Sequence, residues 1–168
     1  YVWASFAETA MKEMGYNNVK TLRGSLDTSK FFRLSDEKRD SLRKSNNLSD
    51  QFIVGFVFRN QLRKSVPNIL EGFKLFKAKE PKAKLLLHTH WSEGWDIPRL
   101  IKEKGINPED ILTTYICNKC GVYHISPFRG QELTCASCGT QKSVNTTNTG
   151  RGVSDSQLNE IYNLMDVY

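Results

Sequence analysis

The chain has 168 residues, of which 39% are hydrophobic and 25% are charged, and its formal net charge at pH 7 is +6. This composition favours a soluble globular protein with one domain, or one domain and part of another. The sequence contains no apolar run long enough to span a membrane and no export signal at its start, so we expect a cytoplasmic location. Because both ends read as strand, we also expect a fragment of a longer protein.

The first 50 residues predict a strand, a helix and a connecting segment. The apolar start YVWAS precedes a helix with a capping-box pattern at Ser5 and Glu8, and this helix ends at Gly15. Residues 19–22 are consistent with a second strand. Residues 24–50 are polar and charged, which is typical of a connecting segment.

The remainder of the chain alternates strands with helices. Strands are predicted at 51–59, 83–90 and 111–116, and helices begin at Ser65, Asp96 and Ser154. The last three residues, DVY, begin a further strand. This alternation predicts a parallel α/β sheet, in which ligands bind at the carboxyl ends of the strands.

The net positive charge falls entirely between residues 59 and 84, which hold eight Lys or Arg and two Glu. A basic segment can bind nucleic acid or other phosphates. A solvated helix face better explains most of the lysines: Lys74, Lys77, Lys79, Lys82 and Lys84. Arg59, Arg63 and Lys64 instead follow the first strand of the predicted sheet, at its ligand-binding end.

Four cysteines form two C-x2-C-G knuckles, which are joined by 14 residues: Cys117, Cys120, Cys135 and Cys138. Four thiolates from two tight turns suit tetrahedral zinc, and the following Gly121 and Gly139 permit the positive φ of such turns. Two disulfides or four separate thiols are weaker explanations, since no export signal is present. With no ligand position left open for water, the predicted zinc is structural.

The segment between the knuckles gives little support to nucleic-acid binding. Lys119 and Arg129 are opposed by Glu132. Tyr123 and Phe128 could stack on bases, but a very small core explains them better. His124 exceeds the four ligands that zinc needs, and it is better explained as a surface or packing residue. The pattern predicts a zinc ribbon inserted after the third strand, on the ligand side of the sheet.

The segments around the ribbon resemble the retaining, nucleotide-sugar-dependent glycosyltransferases of the GT-B fold, of the group-1 or family-four type. The resemblance rests on the order and spacing of four stretches: SFAETAMKEMG, VKTLRGSLDTSKFF, FIVGFVFRNQLRKSVPNILEGFKLF and GVSDSQLNEIYNLMDVY. It implies that residues 1–50 form the end of an acceptor domain and a crossover. Residues 51–116 and 150–168 would then form an incomplete, Rossmann-like donor domain, which the ribbon at 117–149 interrupts.

The resemblance also implies an activity and a donor site. Arg59 and Lys64 match the R-x4-K spacing of the family's diphosphate-binding loop, so they are the expected catalytic and donor-binding cations, and no catalytic metal is expected. His88 and His90 alternate on the second strand and are further candidates for donor binding, although packing or hydrogen bonding at a strand end would also explain them.

Two features depart from the family. HTHWSEGWD replaces the usual glycine-rich turn after the second strand, and the family's paired glutamates would follow the last residue of this chain. The chain alone is therefore expected to be inactive, and its sugar, nucleotide and acceptor are not determined by the sequence.

The alternative function is a zinc-ribbon module that binds nucleic acid or protein on an α/β scaffold. A partner contact through the ribbon is compatible with either function.

Overall fold

The computed structural model describes residues 1–168, which divide into two compact units, Tyr1–Phe32 and Arg33–Tyr168. The helices are α1 (Ser5–Glu13), α2 (Asp36–Ser45), α3 (Val66–Lys77), α4 (Ile97–Glu103) and α5 (Asp155–Leu164). The strands are β1 (Phe52–Val57), β2 (Ala83–His88), β3 (Ile111–Cys117), β4 (Tyr123–Pro127) and β5 (Val144–Thr146). No helix combines the length and the apolar character that a membrane crossing requires.

The first unit consists of α1 and one parallel bridge, between Val2 and Thr21. The predicted capping box at its start is wrong, because no side chain caps α1. The Glu8 carboxylate instead accepts hydrogen bonds from Lys12 Nζ at 2.5 Å and from the Thr21 backbone N–H at 2.6 Å. These bonds, that from Lys12 foremost, lower the pKa of Glu8 to about 2.

The second unit is built on a mixed sheet of five strands. The strand order is β1-β2-β3-β4, with β1, β2 and β3 parallel and with β4 antiparallel to β3. The fifth strand, β5, also pairs antiparallel with β3. The predicted α/β class is thus confirmed, and the three strands predicted from apolar runs are the parallel ones.

Helices cover both faces of this sheet. On one face, α3 and α4 pack on the strands through Val66, Leu70, Phe73, Ile97 and Ile101. On the other face, α5 packs through Ile161 and Leu164. Every residue of β3 is buried, as expected for a strand enclosed by helices on both faces.

The strand order reverses after β3: the chain adds β2 and β3 on one side of β1 and later returns to the other side of β1. Val54 of β1 pairs with Leu85 of β2, and it also forms a parallel bridge with Val167. Because a strand residue has one neighbour on each side, Val167 lies at the edge of β1 that faces away from β2. The predicted DVY strand therefore returns to the far side of β1, and this reversal marks the position where open α/β sheets bind ligands. The Rossmann-like, GT-B identity of the sheet stays a prediction.

The segment predicted as a connection, 24–50, contains helix α2. Its Arg43 is buried and donates hydrogen bonds to the carbonyls of Leu164, Leu48 and Gln51. Arg43 also pairs with Asp166 at 3.1 Å. These bonds join α2 to the segment just before β1 and to the end of α5. A stretch whose polar sequence suggests solvent exposure therefore has a structural role.

Two of the lysines assigned to a solvated helix face are instead bound to one carboxylate. Lys77 Nζ and Lys84 Nζ lie 3.0 and 2.8 Å from Asp110 Oδ1. Burial raises the pKa of Asp110, but the hydrogen bonds from these two lysines outweigh it, and the pKa stays below its ordinary value. Part of the positive charge of the basic segment is thus balanced by Asp110 within the fold.

Candidate functional site

The four cysteines lie in two turns of nearly identical geometry. In each turn the first cysteine donates its backbone N–H to the carbonyl five residues later, Val122 for Cys117 and Thr140 for Cys135. The glycine after each knuckle, Gly121 or Gly139, has φ of +70° and donates its N–H to the carbonyl of the first cysteine. The glycines thus have the positive φ that the sequence predicts for them.

The four Sγ atoms converge on one point, all within 4.8 Å of one another, and none of the cysteines is in a disulfide. Cys117 Sγ lies 3.8 Å from Cys138 Sγ, and Cys120 Sγ lies 3.7 Å from Cys135 Sγ. Sulfur atoms at the corners of a tetrahedron around zinc, with bonds of about 2.3 Å, are separated by about 3.8 Å. The donor set therefore fits a metal such as zinc, as predicted from the knuckles.

The surrounding groups favour thiolates at two of these positions. Ser143 Oγ lies 3.3 Å from Cys117 Sγ, and this hydrogen bond is the main reason that the pKa of Cys117 falls to about 6. The hydrogen bond with Thr140 similarly lowers the pKa of Cys138. The Val122 N–H lowers the pKa of Cys120, but burial and the other three cysteines outweigh it and raise this pKa to about 11. The thiolate form that metals bind is therefore favoured at Cys117 and Cys138 and not at Cys120.

A cleft of about 160 Å³ lies at the carboxyl ends of β1 and β2. Its walls come from the loops after these two strands and from the segment after β5. The lining residues are Phe58, Arg59, His88, Thr89, His90, Glu93, Thr147, Asn148, Thr149 and Gly152. The cleft thus contains three of the four predicted donor-site residues; Lys64 is exposed in a short 3-10 turn and does not line it.

Arg59 is the cation of this cleft. Its side chain is 53% exposed, and its Nη2 lies 3.5 Å from Glu93 Oε1. Glu93 follows β2 in the stretch HTHWSEGWD, and no motif in the sequence identified it as a partner of Arg59. An exposed pair at this separation is held weakly, so an anionic ligand can compete with Glu93 for the guanidinium group.

The two histidines differ in their surroundings. His88 Nδ1 lies 3.0 Å from the hydroxyl of Thr114, and burial lowers the pKa of His88 to about 4. The His88 ring is therefore neutral at physiological pH and offers hydrogen bonds without charge. His90 Nδ1 accepts a hydrogen bond from the backbone N–H of Ser92, which places this ring within the loop after β2.

Asn60 and Gly94 hold the two loops of the cleft together, and the sequence patterns did not single out either residue. The buried Asn60 donates to the carbonyls of His90 and Trp95 at 3.0 and 2.8 Å and accepts from the Trp95 N–H at 2.9 Å. A Cβ at Gly94 would lie 2.6 Å from the Asn60 carbonyl oxygen. The close approach of the loops therefore requires glycine at position 94.

The aromatic and charged side chains of the ribbon are engaged within the second unit. Phe128 stacks on the buried Trp91 with ring centroids 4.3 Å apart, and the Tyr123 hydroxyl donates to Glu160 at 2.7 Å. Arg129 makes two hydrogen bonds, of 2.6 and 2.8 Å, to Glu109. The sequence favours a small core over base stacking for Tyr123 and Phe128, and their contacts agree with the core.

His124 stacks on the ring of Tyr115 with centroids 5.2 Å apart and does not belong to the four-cysteine cluster. This agrees with the prediction that His124 is a surface or packing residue and not a metal ligand.

Comparisons of this chain with known protein families, with curated proteins and with solved structures found no match.

Proposed function

We propose that this chain forms the donor-binding part of a retaining, nucleotide-sugar-dependent glycosyltransferase of the GT-B type. The observation that supports it most is the position of Arg59 in a cleft at the carboxyl ends of β1 and β2 that is lined mainly by polar residues. The strand order reverses next to β1, and such a reversal is where α/β sheets of this kind bind nucleotides. The sequence resemblance supplies the reaction and the type of donor.

The chemistry requires a group such as Arg59. Glycosyl transfer breaks the bond between the anomeric carbon of the sugar and the diphosphate, and negative charge increases on the departing phosphate in the transition state. A guanidinium group that hydrogen-bonds to these oxygens binds the transition state more tightly than the ground state, which accelerates the reaction. We propose that Lys64, in the same loop, also binds the phosphate oxygens when the donor is bound.

We assign the metal of the four-cysteine cluster as structural zinc. All four ligands come from the protein, and the thiolate set and the sulfur spacing suit this ion. No ligand position is left for a substrate, so the metal takes no part in the proposed transfer.

Binding measurements on variants of Arg59 test the proposal. Titration calorimetry of the purified chain with nucleoside diphosphates and with UDP-, GDP- and ADP-linked hexoses should identify a binding nucleotide. Arg59→Ala should then weaken that binding by about tenfold or more, since a hydrogen bond to a charged group contributes about 1.5–3 kcal/mol. Glu93→Gln should strengthen it severalfold, because it removes the competing carboxylate.

Arg99→Ala is the matched control. Arg99 is 73% exposed, pairs with Glu103 and does not line the cleft, so its loss should leave binding unchanged. Equal affinities of wild type and Arg59→Ala for every binding nucleotide would contradict the proposal. Tight, salt-dependent binding of single-stranded oligonucleotides in place of nucleotide sugars would instead support the alternative function of a nucleic-acid-binding ribbon.

A further inference from the structure

The segment 147–152 forms a wall of the cleft, and it directly follows the strand that the four-cysteine cluster holds. Thr147, Asn148, Thr149 and Gly152 all line the cleft. Tyr115 of β3 pairs with β4 on one side and with Thr146 of β5 on the other. Since β4 occupies the outer edge of β3, β5 lies on the edge that β2 uses. Residue 147 therefore meets the carboxyl end of β2.

A continuous series of contacts connects the cysteines to this wall. Cys117 is the paired neighbour of Val144, the first residue of β5. Ser143, one residue earlier, accepts a hydrogen bond from the Asn118 N–H at 2.8 Å, and its hydroxyl lies 3.3 Å from Cys117 Sγ. On its other side β5 bonds to Leu133, next to the second knuckle, with N–H to carbonyl distances of 2.9 and 3.0 Å.

The last residue of β5 is fixed by the loop between the knuckles. The amide of Gln131 donates to the Thr146 hydroxyl at 2.7 Å and accepts from the Thr146 N–H at 2.9 Å. The apolar core of this region holds only four buried residues: Tyr115, Cys117, Cys135 and Val144. Because two of these four are cysteines of the cluster, such a small core depends on its metal for stability.

Two hydroxyl groups of the cleft residues have no hydrogen-bond partner within the protein. Thr89 and Thr147 are each only 3% exposed, both line the cleft, and neither Oγ1 atom is bonded. A buried hydroxyl without a partner costs about 1–3 kcal/mol, and folded proteins rarely leave one in that state. Two of them among the residues that line one cleft indicate a position where ligand oxygens supply the missing partners.

We infer that Thr147 is a ligand-binding residue, that it acts together with Thr89 on oxygen atoms of the bound molecule, and that β5, which the metal site of the four cysteines holds, keeps it in place. Ligand affinity then depends on a metal that never contacts the ligand. The identity of the ligand as a nucleotide sugar rests on the proposed function, whereas the dependence of the wall on the metal does not.

Amide hydrogen exchange tests the dependence on the metal without any ligand. The N–H groups of Asn148 and Arg151 bond to each other's carbonyls at 3.0 and 3.2 Å, and that of Val144 bonds to Leu133. Treatment of the metal-loaded chain with a chelator should remove protection at these three amides and leave Leu86, in the centre of β2, protected. Unchanged protection of Asn148 and Arg151 after complete metal removal would overturn the dependence.

Replacement of one hydroxyl tests the ligand contact. Thr147→Val keeps the shape of the side chain, and it should weaken binding of UDP-glucose or another binding nucleotide sugar by about fivefold or more. The free energy of unfolding of the ligand-free variant should stay the same or rise, since the hydroxyl has no partner to lose. A residue with a purely structural role would show the opposite pattern, with unchanged affinity and lower stability, and that pattern would overturn the assignment.

Thr21→Val is the control, because the Thr21 hydroxyl is also buried without a partner but does not line the cleft. Its affinity should equal that of wild type. Comparison of the nucleotide sugar with its bare nucleoside diphosphate locates the contact. If Thr147→Val weakens the binding of both ligands, Thr147 contacts the phosphates. If it weakens the binding of the nucleotide sugar alone, Thr147 contacts the sugar. If no nucleotide sugar binds the wild-type chain, the proposed function and its ligand contact both fail, and hydrogen exchange still decides the metal dependence.

Discussion

At the scale of single residues, Arg43 shows how tertiary structure can give a role to an ordinary surface-type residue. It lies in DEKRDSLRKS, a stretch whose charges are typical of a solvated helix, yet only 6% of its side chain is exposed. Its guanidinium group bonds to three backbone carbonyls and to Asp166. Arginine suits this position because its planar fork presents five donors at once.

Removal of Arg43 should destabilise the second unit strongly. Arg43→Ala leaves Asp166 and three carbonyls without this partner, and we expect the free energy of unfolding to fall by about 3–5 kcal/mol, as for other broken buried pairs. Urea denaturation measures this loss. Arg33→Ala is the control: Arg33 is 80% exposed and pairs with Asp36, so its removal should change stability by about 0.5 kcal/mol or less. Similar losses in both variants would contradict the role of Arg43.

At the scale of elements, the loops after β1 and β2 form one structure through Asn60 and Gly94. Three hydrogen bonds of Asn60 cross from one loop to the other. Arg59 precedes Asn60 and Glu93 precedes Gly94, so the same junction positions the charged pair of the cleft. Asn60 and Gly94, which carry no charge, therefore set the positions of Arg59 and Glu93 in the cleft.

A methyl group at position 94 should separate these loops. We expect Gly94→Ala to lower both the free energy of unfolding and the affinity for the nucleotide ligand, because its Cβ would lie 2.6 Å from a backbone oxygen that cannot move alone. Gly72→Ala provides a matched control in α3, where nothing lies within 4 Å of the added Cβ. That variant should gain about 0.5–1 kcal/mol of stability and keep its affinity. Thermal unfolding and calorimetry of both variants distinguish the two effects, and an unaltered Gly94→Ala protein would contradict the close approach.

At the scale of the whole second unit, two aspartates join distant elements. Asp110, just before β3, binds Lys77 of α3 and Lys84 of β2. Asp166, after α5, binds Arg39 and Arg43 of α2 and accepts the Ile53 N–H at 2.7 Å. Burial raises the pKa of Asp166, but the Ile53 N–H and the two arginines together hold it below its ordinary value.

Acid should therefore weaken the second unit through both carboxylates. Each of these carboxyl groups has a lower pKa in the folded chain than its ordinary value of 3.8 in the unfolded chain. Each therefore stabilises the fold at pH values above 3.8, and this stabilisation is lost as the pH falls through the pKa of the folded state. We expect Asp110→Asn and Asp166→Asn to be less stable than wild type at about pH 7 and to approach it as the pH is lowered to about 3. Urea denaturation across this range measures the difference. A difference from wild type that stays constant across this pH range for both variants would contradict the linkage.

The sequence alone determined the α/β class, the three parallel strands and the four cysteines that could bind a metal, because each depends on a local pattern. Apolar runs such as AKLLLHTH predict enclosed strands, and C-x2-C-G fixes two ligands within one turn. The helix start predicted at Ser154 is confirmed for the same reason, since the capping box that Ser154 forms with Gln157 spans only three residues.

Only the tertiary structure decided which residues meet across the chain. In place of the cap predicted at Ser5, Glu8 bonds to Thr21. Two lysines of the basic segment bind Asp110, and Thr147 lies at the end of β2 because it follows β5. These contacts join residues that are 13 or more positions apart, and no local pattern encodes such pairings. The cleft is therefore a product of topology: its cation was visible in the sequence, and its threonine hydroxyls were not.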